Sequence, residues 1–118
     1  MTTAEITIME ELRQFIGQYV NGYHCLELLR FFGGYPHAKF SELAVVHALN
    51  SDQRESYIKR ALRHFVDKGV IKMSVNNNIP LYSLTEDKKL CSLASNLAEL
   101  DWSRWQLMLR QTLPISVQ

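Results

Sequence analysis

Two sets of side chains in this sequence are of types that do chemistry. One comprises His24 beside Cys25, with His37, His47, His64 and Cys91 elsewhere. Imidazole and thiolate bind zinc, but these spacings match no standard zinc pattern and include no Cys-x-x-Cys pair. A metal sensor using His24, Cys25 and Cys91 is set against the plainer reading that an isolated cysteine in an apolar helix is packed, and no metal site is assigned. His47, within VVHAL, reads as a partly buried helix residue. No serine, histidine and aspartate arrangement is recognisable, and Gly33-Gly34 reads as a helix stop, so neither catalysis nor a cofactor is expected. The second set runs from Gln53 to His64. It holds glutamine and arginine, which can grip adenine and guanine edges with two hydrogen bonds at once, provided that one element lines them up.

A helix over residues 52–68, DQRESYIKRALRHFVDK, would do so. Ile58, Ala61, Leu62, Phe65 and Val66 recur on one side of it, and Gly69 closes it. Successive residues turn by about 100°, which puts Gln53, Ser56, Tyr57, Arg60, Arg63, His64 and Asp67 on the outward half, with Lys59 at the flank. Asp67 is the only acid expected on that half. Before this helix, Ser41 can cap a short one carrying Leu43, Val46, His47 and Leu49. Earlier still, Ile8, Met9, Leu12, Phe15, Ile16, Tyr19 and Val20 mark an amphipathic helix over 5–20. The stretch 23–32, YHCLELLRFF, is apolar nearly all round and must be surrounded by protein.

Beyond Gly69 the period falls to two. Ile71, Met73 and Val75 alternate with Lys72 and Ser74, and LYSL follows Asn76-Asn77-Asn78 and Pro80, which predicts a hairpin with Pro80 at a strand start or an edge. Thr85, Glu86 and Asp87 open a helix bearing Leu90, Leu93, Leu97 and Leu100. Asp101 restarts it with Trp102, Trp105, Leu109 and Leu113 on a slightly different face, up to Pro114.

A chain of 118 residues, 47% apolar and 21% charged, is one globular domain's worth and is neither disordered nor fibrous. No apolar run approaches the roughly 18 to 20 residues of a membrane span, and the start MTTAE lacks the features of a signal peptide, so a cytoplasmic location with reduced cysteines is expected. The net charge of +1 gives no global reason for a polyanionic partner. Its distribution does: between residues 39 and 72 stand seven basic residues against four acids, a local balance of +3, while the remainder of the chain carries −2.

Helix, short helix, tight turn, longer helix and two-stranded hairpin is the order of a winged helix-turn-helix. Residues 39–85 resemble the DNA-binding core of small prokaryotic regulators of the MarR, PadR and ArsR kind. SELA would begin the first helix of the motif, YIKRALRHFVDKGVI would be the recognition helix running into the wing, and YSLT would close the wing and cap the next helix. The fold class implied is mainly α with a small β-hairpin (α+β), in one domain. It has an N-terminal helix at 5–20, a winged-helix core at 22–85 and a C-terminal helical segment at 86–113. The likeness implies sequence-specific binding of double-stranded DNA and regulation of transcription. The alternative is a winged helix that binds another protein and no DNA.

On the DNA reading, Gln53, Ser56, Tyr57 and Arg60 are the base-reading candidates, since the N-terminal half of such a helix enters the major groove. Lys39, Ser41, Lys59, Arg63 and His64 are candidates for phosphates. The wing tip Asn76, Asn77 and Asn78 departs from the pattern in having no cation, so any contact there is polar and modest. The regulators resembled pair through terminal helices across a twofold axis, which nominates Leu12, Phe15, Leu93, Leu97, Leu100 and Trp105 for a homodimer interface. The alternative is that these side chains fold back on their own domain. The aromatic residues Tyr19, Tyr23, Phe31, Phe32, Tyr35, Trp102 and Trp105 could line a small effector pocket or form core, and no effector is named.

Overall fold

In the computed structural model, residues 3–49 and 55–112 are described, leaving aside the side chains of 4–6, 102, 109, 111 and 112. The order is α1 (Thr3–Tyr19), α2 (Tyr23–Gly34), α3 (Glu42–Ala48), α4 (Glu55–Asp67), β1 (Ile71–Asn76), β2 (Ile79–Leu84), α5 (Lys88–Ala98) and α6 (Trp102–Thr112). This is the mainly helical fold with one antiparallel hairpin that the periodicities imply. Among the described residues no helix is long and apolar enough to cross a membrane.

The expected end of α2 falls two residues too early. Gly33 belongs to the helix and is buried in it. A Cβ there would lie 2.0 Å from the Ala94 carbonyl oxygen and 2.6 Å from its carbon, so Gly33 is what lets the backbone of α5 press against α2. The helix ends at Gly34, and the N–H of its cap Tyr35 donates to the Phe32 carbonyl at 3.1 Å.

One core joins every helix. Leu12, Phe15 and Ile16 of α1, Leu26, Leu29 and Phe32 of α2, Ile58, Leu62 and Phe65 of α4, Leu93 and Leu97 of α5, and Trp105 and Met108 of α6 are all buried in it. Leu12, Phe15, Leu93, Leu97 and Trp105, the candidates for a homodimer interface, are among them. Their cover is their own chain, and Leu100 packs partly against the same core. An apolar stripe records that a helix face is covered and carries no information on what covers it.

The joints of the core follow local rules. Gly69, at φ 77°, ends α4: its N–H donates to the Val66 carbonyl at 3.1 Å and that of Val70 to Phe65 at 2.9 Å, the paired bonds of a Schellman turn. In the hairpin Asn76 pairs with Ile79, and the two residues between, Asn77 (φ 53°) and Asn78 (φ 67°), take the successive left-handed conformations of a type I′ turn. Pro80 faces Val75 in this two-stranded ribbon. Phe40 adds what no local pattern announced, an antiparallel bridge to Tyr82 with N–H to O distances of 2.8 and 2.7 Å. It ties the entry of α3 to the wing. The cap of α5 is Asp87, whose carboxylate accepts from Leu90 N–H at 3.0 Å. Thr85, expected in that role, instead accepts the N–H of Asp87 at 3.2 Å.

Candidate nucleic-acid interface

The hydroxyl of Ser41 accepts the Ala44 N–H at 3.2 Å and fixes the start of α3. Val45 and Val46 turn inward. Leu43, expected among the apolar side, is 62% exposed, and His47 is exposed as well. The turn between α3 and α4, and with it Gln53, lies outside the described residues.

On α4 the residues Ile58, Ala61, Leu62 and Phe65 are buried, and Ser56, Tyr57, Lys59, Arg60, Arg63 and Asp67 are exposed, as the helical period requires. The electrostatics differ from expectation in one respect. Glu55 is also exposed, so acids stand at both ends of the ridge, and Lys59 is held between Glu55 at 3.3 Å and Glu42 of α3 at 3.8 Å. A lysine placed between two carboxylates has less positive potential to offer a phosphate. Among the described residues no carboxylate pairs with Arg60 or Arg63. The strongest anion-seeking groups on the helix are therefore the two arginines.

His64 is only partly exposed, and its Nε2 lies 2.7 Å from the carbonyl oxygen of Tyr19 at the end of α1. That nitrogen is engaged within the fold, so His64 serves as a strut between α1 and α4. Lys39 is exposed. Ser41, although it accepts a helix N–H, keeps its own O–H proton to donate.

Tyr57 is half exposed, with one ring contact that sequence reasoning missed. The His24 imidazole of α2 stacks on it at 4.8 Å between centroids and 14° between planes. The Arg60 guanidinium carbon stands 5.6 Å from the centre of the same ring. Beside this group is a cavity of about 270 Å³, lined by Asn21, Gly22, His24, Cys25, Tyr57, Arg60 and Ala61. Nothing in the spacing of either helix announces a contact between residues so far apart in the chain. The Cys25 thiol is buried and donates to the Asn21 Oδ1 at 2.9 Å. Burial pushes its pKa up, against a smaller lowering from Asn21, which keeps it a thiol and a poor ligand or nucleophile. Among the described residues no three His, Cys, Asp or Glu side chains are grouped to hold a metal.

The wing tip Asn76, Asn77 and Asn78 is exposed. Lys72 at its base is bound by Glu86 at 2.8 Å, so the tip presents amides without a cation. The aromatic residues divide between packing sites. Phe31, Phe32, Tyr35 and Phe40 form a ring cluster, Tyr19 rests on Phe15, and Trp105 lies under the Arg30 guanidinium at 4.5 Å. Trp102 falls outside the described side chains.

A short helix, a ridge-bearing second helix, a wing and flanking terminal helices define a winged helix-turn-helix protein. No family model matches the chain, and no curated protein matches it in sequence. Among solved structures it is similar to apo wild-type MarR from E. coli, with 15% identity, a TM-score of 0.54 and coverage of 98% of this chain and 88% of that one. It is similar too to a point mutant of MepR from a multidrug-resistant S. aureus clinical isolate, with 14% identity, a TM-score of 0.55 and coverage of 98% and 87%. The likeness extends over the flanking helices as well as the core, and at this identity it shows the fold.

Proposed function

We propose that this chain is a prokaryotic transcription regulator that binds double-stranded DNA as a homodimer, inserting α4 into the major groove. The observation that carries the reading is the outward ridge of α4, on which Arg60 and Arg63 stand exposed and free of carboxylate partners among the described residues. A major groove about 12 Å wide admits one helix, and an arginine fork matches the O6 and N7 of guanine. Arg60, with Ser56, Tyr57 and Gln53, would read bases, while Arg63, Lys39 and Ser41 would hold phosphates. Resemblance in fold to MarR and MepR supports the reading. A dimer follows from the weakness of one short helix acting alone, since two copies place their ridges one DNA turn apart, about 34 to 36 Å. The terminal helices still expose apolar side chains for it, Ile8 on α1 and Leu107 on α6.

The second reading, a protein-binding winged helix, is favoured by the wing, which exposes Val75 at 63% and Ile79 at 53% and carries no cation at its tip. A binding titration on mixed-sequence duplex DNA at several salt concentrations, beside a light-scattering mass, separates the two. DNA binding gives log affinity falling steeply with log salt. No duplex binding at low salt, or a monomeric mass at binding concentrations, would overturn the proposal or its dimeric part respectively.

A further inference from the structure

We infer that His24 is a positioning residue for DNA reading: by stacking on Tyr57 it fixes the ring on which Arg60 rests, and so sets the direction of the guanidinium that meets the base. This rests on the DNA-binding reading of α4 and assigns to α2 a part in specificity.

Three observations carry it. The His24 and Tyr57 rings are nearly parallel, at 14° and 4.8 Å, which is the offset-stacked geometry that aromatic pairs prefer. The Arg60 guanidinium is within the roughly 6 Å over which a cation is drawn to a ring face. The third is the cavity of about 270 Å³ that borders Arg60, Tyr57 and His24. Open space beside Arg60 means that packing does not hold its side chain, and among the described residues no carboxylate holds it either. The tyrosine ring is then the group that orients the fork, and Tyr57, itself half exposed, is oriented by His24. A long, flexible side chain that must meet a guanine edge with two aligned hydrogen bonds gains discrimination when its direction is set before the DNA arrives.

The prediction separates positioning from stability. The probe is a duplex selected from a random-sequence pool by the full chain, with a second duplex changed at the guanine whose preference is lost in Arg60→Ala. In His24→Ala the ratio of affinities for the two duplexes should fall about two- to fivefold, the range expected for losing one exposed cation–ring contact. Affinity for random duplex should stay the same. His24→Phe, which restores a stacking ring, should restore the ratio. In the Arg60→Ala background His24→Ala should have no further effect, since the group it positions is gone. Equal weakening on selected and random duplexes by His24→Ala would reduce His24 to a structural role. An unchanged ratio would refute the inference outright, as would failure of His24→Phe to restore a lost one. If the unaltered chain retains no duplex from the pool, it is the DNA-binding reading that has failed, a result distinct from all of these.

Discussion

The half of the molecule built from α1, α2, α5 and α6 and the half built from α3, α4 and the wing use their side chains in opposite ways. In the first, the residues that stand out in the sequence are consumed by the fold: Leu12, Phe15, Leu93, Leu97 and Trp105 are interior. In the second, α4 gives Ile58, Ala61, Leu62 and Phe65 to the core, packs Val66 partly against it, and displays Ser56, Tyr57, Lys59, Arg60 and Arg63. The difference teaches that periodicity identifies which face of a helix is covered equally well in both halves, whereas the identity of the cover is a long-range fact. In the terminal half every claim about function passed through that fact. In the α4 half the functional claim concerns the uncovered face, and it does not depend on what lies beneath.

The largest effect that tests this contrast belongs to the terminal half. Gly33→Ala places a methyl group against the Ala94 carbonyl at 2.0 Å, a backbone atom that can move only if α5 moves. A loss of about 3 kcal/mol or more in chemical denaturation is expected, at the upper end of overpacking costs. Gly34→Ala, one residue on, meets only the Ala98 Cβ at 4.0 Å and should change stability by about 1 kcal/mol or less. Equal tolerance of both substitutions would contradict the close helix contact. Next in size is Leu97→Ala, a fully buried side chain, which should cost about 2 to 5 kcal/mol whatever the protein concentration. A cost that grows on dilution would return Leu97 to an interface between copies.

In the α4 half, losses should appear in binding and not in unfolding. Arg60→Ala should cost about 1 to 3 kcal/mol on a selected duplex and relax the preference at one base pair, with little change in denaturation midpoint. Lys59→Ala should weaken all duplexes alike. Its effect on the salt slope should be smaller than that of Arg63→Ala, because Lys59 is already shared between Glu42 and Glu55. A larger slope change for Lys59 would show that DNA displaces those carboxylates.

Much of the fold was legible because its signals are local. Gly69 as a stop, Ser41 as a cap and asparagines at a left-handed turn each act within a few residues. Apart from the local exchange of Thr85 for Asp87 as the cap of α5, the differences come from distance. Gly33 looked like a helix stop because the sequence shows a glycine and not the Ala94 backbone it admits. Phe40 carried no strand signal because its partner, Tyr82, lies across the wing. His64 looked like a phosphate ligand because its period faces outward, while the Tyr19 carbonyl that takes its Nε2 belongs to another helix. For the same reason His24, read first as a candidate metal ligand beside Cys25, could not be connected with Tyr57 until α2 was laid against α4.

The smallest effect concerns the border between the halves, where Lys72 at the base of the wing meets Glu86 ahead of α5. The lysine donates to the Glu86 carboxylate at 2.8 Å, and that hydrogen bond, with the lysine's charge, holds the Glu86 pKa below its ordinary value. A carboxyl with a depressed folded-state pKa contributes stability that is fully present above the unfolded-state carboxylate range and is lost as pH falls through the folded-state value. Both side chains are well exposed, so the contribution is small and is weakened further by salt. Glu86→Gln should therefore lower the denaturation midpoint slightly at neutral pH and low salt. The difference from the unaltered chain should close as the solution is acidified through the carboxylate range. A difference that persists in acid would mean that Glu86 acts through packing at the wing's base and not through its charge.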